Sequence, residues 1–202
     1  MIVGMSSEAY PLSEDSIVTS DVAKAVSWGL KLGCDLGCGG GYIAERMLDN
    51  VETIMLVDVN INAVKYARKR LEALGLGARI DAVCSDSLPS VRPEALDVVS
   101  SNPPYLPVSD GDLKWSGGRG GIEVASKFAR DSIVALKKGG IMVITLSSLS
   151  DVKGFRCLTA ELGFKKVYVV KVPVGLMETL ITFVFVKKCK CCAEEGGNVP
   201  SP

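Results

Sequence analysis

KVYVVKVPVGLMETLITFVFV, residues 166–186, decides the fold. Its two halves, Lys166 to Val172 and Thr179 to Val186, are rich in β-branched and aromatic residues, the composition of strands on a packed sheet. Only Pro173 to Glu178 separates them. No helix fits in that interval, and parallel neighbours need a crossover of a dozen or more residues, so the pair predicts an antiparallel hairpin. Upstream, strand and helix patterns alternate. Leu32 to Leu36, Thr53 to Val57, Arg79 to Cys84, Leu96 to Val99 and Ile141 to Leu146 read as strands, and Tyr42 to Leu48, Ile61 to Leu74, Ile122 to Leu136 and Asp151 to Leu162 as helices. Five parallel strands closed by a hairpin predict an α/β fold with a seven-stranded, mostly parallel sheet, and not the six parallel strands of a dehydrogenase. Ahead of the first strand, residues 7–19 read as a polar stretch. A lead-in helix capped by Ser20-Asp21 is expected to follow, with Val22, Ala25, Val26, Trp28 and Leu30 at helical spacing.

The chain has 202 residues, enough for one sizeable core, which predicts one domain over residues 1–188 and a flexible tail over 189–202. Lys plus Arg and Asp plus Glu both number 23, so no global field draws the protein toward polyanions or membranes. Nucleic acid is therefore not an expected partner, and no apolar run reaches the length of a membrane span. The N-terminus carries no secretory pattern, and the expected location is cytoplasmic. Histidine is absent, which excludes Ser-His and Cys-His catalysis and any histidine metal site. Of seven cysteines, Cys34, Cys84 and Cys157 fall in strand or helix patterns and are expected to pack as small hydrophobes. Cys189, Cys191 and Cys192 lack the spacing of a zinc site and read as part of the tail.

Chemistry concentrates where predicted strands end. Asn102-Pro103-Pro104-Tyr105 follows the fourth strand, and ligands of open α/β sheets bind at that edge. Proline has no N–H, so this backbone offers carbonyl acceptors held still by fixed φ angles. With the Asn102 side-chain oxygen, two acceptors converge, a match for a planar –NH2 group with the Tyr105 ring on its face. A plain turn initiated by Asn-Pro is the other reading. After the first strand, Asp35 to Gly41 is a glycine turn, and glycine lets backbone approach a ligand closely. Gly39, Gly41 and Ala44 also fit the dinucleotide pattern. Asp35 favours a sulfonium or ammonium over a pyrophosphate. Asp58, ending the second strand, suits a pair of ribose hydroxyls, or else caps the next helix as Asn60 can. Asp86, in Ser85-Asp86-Ser87 after the third strand, suits an adenine amino group, or else a turn. Lys65, Arg68, Lys69 and Glu72 read as a solvated helix face. Leu106 to Gly121 reads as a lid or substrate-facing loop.

Taken together, Tyr10-Pro11 with Ser13-Glu14-Asp15-Ser16, the Asp35 to Gly41 loop, Asp58, Asn102 to Tyr105 and Trp115-Ser116-Gly117-Gly118-Arg119 resemble the HemK-type methyltransferases. The resemblance runs from about Tyr10 to Lys188 and is closest to the short archaeal and eukaryotic branch, which acts on the glutamine of a Gly-Gly-Gln motif in class-1 translation release factors. It implies the class I methyltransferase architecture, a Rossmann-like three-layer sandwich, and S-adenosyl-L-methionine as cofactor. By motif match, Ser16, Asp35, Gly37, Gly39, Asp58, Asp86, Ser87 and Asn102 would contact the methyl donor. Asn102, Pro103 and Tyr105 would hold the acceptor. Ser16 stands where threonine is common. The resemblance also implies a small zinc-binding activator subunit, for which the edge of the third strand, with Ile80, Ala82 and Val83, is the expected docking place. Adenine amino groups of DNA or RNA, and protein lysine, stay open as alternative acceptors, and a nucleotide-dependent oxidoreductase as a remote alternative. If the ring face alone matters at position 105, Tyr105→Phe is expected to be mild.

Overall fold

A computed structural model describes residues 13–107 and 116–189. The strands are β1 (Leu30–Leu36), β2 (Val51–Asp58), β3 (Ile80–Cys84), β4 (Leu96–Ser101), β5 (Leu136–Ser147), β6 (Phe164–Val174) and β7 (Glu178–Lys187). They form one sheet in the order β3-β2-β1-β4-β5-β7-β6. β1 to β5 pair in parallel, while β7 runs antiparallel to both β5 and β6, so the expected layout and closing hairpin are both present. The helices are α1 (Glu14–Val26), α2 (Tyr42–Met47), α3 (Ile61–Ala73), α4 (Glu123–Ala135) and α5 (Val152–Glu161).

The central strands are apolar on both faces because helices cover both. Alternate residues feed two cores. Cys34, Leu36, Val99, Met142, Ile144, Phe183 and Phe185 pack with Phe128 of α4 and Phe155 of α5. Val98, Val143 and Val184 face the other way, with Ile43 and Met47 of α2, Ala67 and Leu71 of α3 and Ala23 of α1. Each fully buried large side chain contributes about 1.5–3 kcal/mol by leaving water. On α3, Val64, Ala67 and Leu71 are buried while Lys65, Arg68, Lys69 and Glu72 are exposed, as its pattern predicts, but Leu74, expected on the same apolar face, lies just past the helix end and is 52% exposed.

Three local expectations are corrected. α1 starts at Glu14 and not after Ser20-Asp21, because its buried face is Asp15, Ser16, Thr19, Ser20 and Ala23. That face keeps helical spacing but is polar, so a search for apolar periodicity starts too late. Trp28 lies beyond the helix end and is 81% exposed. Second, Lys137 to Gly140 does not intervene between α4 and the next strand: β5 begins at Leu136, directly after α4, with a register irregularity opposite Leu96 and Val98. Third, Cys84 and Cys157 are exposed, whereas Cys34 and Cys38 are buried. Cys191, Cys192 and all of the tail beyond Cys189 lie outside the described residues, as do Tyr10, Pro11 and Trp115. Among the described residues, no helix is long and apolar enough to cross a membrane.

Candidate active site

β1 and β4 are neighbours from which the chain departs in opposite directions, β1 toward β2 and β3, β4 toward β5. Such a switch point leaves a crevice at the carboxyl ends, and both motif loops open there. On the β1 side, Gly37 turns at φ 74°. Its N–H and that of Cys38 donate to the Val57 carbonyl at 2.8 and 2.9 Å. Asp58 closes the turn from the next strand: Oδ2 accepts from Gly39 N–H at 2.9 Å and Oδ1 from Asn60 N–H at 2.8 Å. Asn60, not Asp58, caps α3, accepting from Asn62 N–H at 2.9 Å.

Asp35 stands behind this turn. It is fully buried; Oδ2 accepts from Ala44 N–H at 3.0 Å, satisfying a donor in the first turn of α2, and Oδ1 has no partner among the described residues. Burial pushes its carboxyl up to about 8, against the Ala44 bond and with help from the nearby Asp58 charge.

On the β4 side, the tetrapeptide is clamped from several directions. Ser101 Oγ donates to the Leu36 carbonyl at 2.7 Å, tying β4 to β1. Ser150 Oγ donates to the Tyr105 carbonyl at 2.7 Å. Gly117 N–H donates to the Leu106 carbonyl at 2.9 Å. Gly121, at φ 69°, packs so closely that a Cβ there would lie 2.2 Å from the Tyr105 oxygen. The glycine-rich segment after residue 115 therefore braces the site with its backbone.

α1 supplies the remaining wall. Asp15 is 4% exposed. Its Oδ1 accepts from Ser16 N–H at 2.7 Å and from the Ser13 hydroxyl, and its Oδ2 from the Tyr105 hydroxyl at 2.8 Å. Burial works to raise its pKa, but hydrogen bonds from Ser13, Tyr105 and the Ser16 backbone, together with the nearby Asn102 amide, outweigh it and hold the carboxyl below its usual range. Asn102 Nδ2 reaches Ser16 Oγ at 3.4 Å, while Asn102 Oδ1 is buried and accepts no bond among the described residues.

These loops enclose a cavity of about 720 Å³. Ser16, Gly37, Gly39, Asp58, Asp86, Ser87, Asn102, Pro103 and Tyr105 all line it. Asp35 does not. Asp86 pairs with Lys127 of α4 at the cavity rim, and Ser87, at φ 104°, has a buried hydroxyl without a partner among the described residues. The contact of Asp15 with Tyr105 and the bracing by Ser150 escape a reading of the sequence, since each partner lies far along the chain. The described lining includes Asp15, Asp58 and Asp86 and no lysine or arginine. That donor set fits a cationic, hydroxyl-rich guest such as S-adenosyl-L-methionine and repels a pyrophosphate. Among the described residues no cluster of Cys, Asp or Glu has the makings of a metal site.

The family model of the methyltransferase small domain matches residues 25–171, and the chain belongs to that family. Its relatives narrow the likeness. The chain is 31% identical over 166 residues to a protein of Methanocaldococcus jannaschii named as a protein N5-glutamine methyltransferase, covering 78% of this chain and 82% of that one. It is 29% identical over 154 residues to the release factor glutamine methyltransferase of Rhodopirellula baltica, covering 68% of this chain; it spans 51% of that bacterial protein's length. Among solved structures, the Mtq2–Trm112 complex of E. cuniculi, described as responsible for methylation of the eRF1 translation termination factor, matches with a TM-score of 0.71 and 26% identity. That match covers 90% of this chain and 99% of the other.

Proposed function

We propose that this chain transfers a methyl group from S-adenosyl-L-methionine to the side-chain amide nitrogen of the glutamine in the Gly-Gly-Gln motif of a class-1 release factor, in the cytoplasm. The observation that carries the reading is Asn102 Oδ1, a buried acceptor without a partner among the described residues, set beside Pro103 in an acid-lined cavity. The relatives' names favour glutamine over lysine or adenine as the acceptor.

The bound donor supplies an electrophilic methyl on a sulfonium. Everything else falls to the chain. Gly37 and Gly39 let backbone approach the donor, Asp58 takes its ribose hydroxyls, Asp86 its adenine amino group, and Ser16 and Ser87 add hydroxyls. Asp35 acts through the turn it anchors and as a negative charge when ionised. Asn102 Oδ1 and the Pro103 carbonyl each accept one hydrogen of the acceptor –NH2, which draws density onto nitrogen and aims its lone pair at the methyl. The Tyr105 ring covers the amide face. Holding the two reactants in line supplies much of the rate.

A small zinc-binding activator subunit is part of the same proposal. β3 is an edge strand with Val83 37% and the neighbouring Val59 67% exposed, and Cys84 Sγ reaches the Val59 carbonyl at 3.4 Å. An open edge with apolar neighbours suits strand addition by such a partner, and Val83→Lys should reduce complex formation.

The test is mass spectrometry of a cognate release factor incubated with the enzyme, its partner and isotopically labelled donor. Methylation is expected at the glutamine and lost when that residue is replaced by asparagine. Methylation that persists on the altered factor, or that appears only on adenine-containing DNA or RNA offered in parallel, overturns the substrate assignment.

A further inference from the structure

We infer that the tip of the hairpin formed by β6 and β7, Leu176 and Met177 together with Leu149 of the adjoining loop, is an apolar docking knob for the protein that carries the acceptor glutamine. The inference rests on the reading of the acceptor as part of a release factor, and it names where that factor sits on this chain.

The fold does not account for these side chains. Leu176 is 103% exposed, Met177 89% and Leu149 51%. Turns favour glycine, proline, asparagine, aspartate and serine, and the positive φ of this turn, 64°, falls on Gly175. Leu176 and Met177 are therefore not needed to make the turn, yet they stand in water. Neighbouring apolar side chains displayed in this way mark interaction surfaces. Glu178 follows them, so the tip offers no cation to a phosphate backbone; a protein surface is the occupant it fits.

Their position says which protein. β5 runs parallel to β4, so its carboxyl end lies on the edge where the cavity opens. Leu180 of the antiparallel β7 stands opposite Ser147, the last residue of β5. The chain before Leu180 thus continues past that edge, and at about 3.3 Å per residue it carries Leu176 and Met177 on the order of 10 Å beyond it. Across the sheet, the order β4-β5-β7 sets the knob two strands from β4, roughly 10 Å from the Asn102 to Tyr105 loop. A protein that delivers a side chain to that loop covers about 800 Å², a patch roughly 30 Å across, and its footprint takes in the knob. The donor-side loops after β1, β2 and β3 lie the other way, as do Val59 and Val83, so the activator and the substrate protein do not compete for one surface.

Residues 148–151 join the knob to the acceptor loop. On one side, Ser148 N–H donates to the Thr179 carbonyl at 2.8 Å and Thr179 N–H to Ser148 Oγ at 3.0 Å. On the other, Ser150 Oγ donates to the Tyr105 carbonyl at 2.7 Å and Asp151 N–H to the Gly120 carbonyl at 2.8 Å. Leu149 is exposed between these two sets of bonds and makes the surface continuous. A protein seated on the knob is thereby held in register with Asn102 and Tyr105.

The test is the joint substitution Leu176→Ser and Met177→Ser, assayed with the release factor as substrate. KM for the factor should rise about tenfold or more, as when apolar anchors are removed from an interface. Neither side chain lines the cavity, so kcat and donor affinity by calorimetry should change less than about twofold. Trp28→Ser removes an apolar side chain 81% exposed just before β1, at the opposite edge of the sheet, and should leave KM within about twofold. Unchanged KM in the joint variant, or an equal rise with Trp28→Ser, overturns the docking surface and leaves the glutamine reading intact. A wild-type dimer in light scattering that the joint substitution dissociates assigns the knob to a second copy and also overturns it. Binding of the factor by biolayer interferometry separates the two readings. If the factor binds but is not methylated, and the joint variant weakens binding about tenfold, the glutamine reading falls and the docking surface stands. A wild-type protein that does not bind the factor overturns both. If the serine variant does not fold, Leu176→Ala with Met177→Ala is read in the same way.

Discussion

The Tyr105 hydroxyl donates to Asp15 Oδ2 at 2.8 Å across 90 residues of chain, joining the acceptor-side loop to the first turn of α1. This bond changes the expectation for Tyr105→Phe. The ring face survives, but a buried carboxylate loses one of its donors, which costs about 1–3 kcal/mol. Urea unfolding should show that loss of stability, and turnover should fall with it. A variant as stable and active as the wild type would show that the hydroxyl contributes nothing.

Asn102→Ala removes the unpartnered acceptor and leaves the Pro103 carbonyl. Turnover should fall on the order of a hundredfold, because the acceptor nitrogen is no longer aimed. Donor affinity by calorimetry should change far less. Equal losses in both would reassign Asn102 to donor binding.

Asp58→Ala should weaken donor binding by about 1.5–3 kcal/mol, roughly tenfold or more in affinity. The capping role is excluded as the cause, since Asn60 caps α3. The substitution also releases Gly39 N–H from its 2.9 Å bond, so the glycine turn should loosen. Unchanged calorimetric affinity would confine Asp58 to that turn.

Asp35 gives the donor-free protein a pH signature. Its pKa in the fold is about 8, against 3.8 for an ordinary aspartate. The unfolded chain therefore releases this proton near pH 4 while the folded protein keeps it to about pH 8, and stability falls as pH rises between those values. The loss should reach several kcal/mol. Asp35→Asn should flatten the slope and be the more stable form at pH 8, provided its carboxamide oxygen still accepts from Ala44 N–H. Parallel stability curves for the two proteins would mean that Asp35 is ionised in the fold.

What the sequence by itself determined is what local chemistry specifies. Residues 166–186 can only form a tight hairpin because six intervening residues leave no room for a crossover. The alternation before it implies the parallel sheet, and a motif at a strand's carboxyl end implies the crevice. Even Asp58, Asp86 and Asn102 are visible as polar ends of apolar runs. The start of α1 was hidden because its buried face is polar: Asp15, Ser16, Thr19 and Ser20 look like a solvated stretch until Thr145 and Thr182 are seen beneath them.

Tertiary structure alone decided the partners of those residues. That Asp35 stands behind the cavity wall while its sequence neighbour Leu36 lines it depends on how β1 faces its neighbours. Gly121 is constrained by the Tyr105 carbonyl, and Tyr105 by Ser150 and Asp15, through contacts spanning from 16 to 90 residues. A hydrogen bond needs its two atoms within about 3 Å, and sequence spacing encodes that only inside a helix, a turn or one strand pair. Between elements the distance is set by how the sheet twists and the helices pack, so the orientation of Asn102, on which the proposed chemistry turns, exists only in the folded chain.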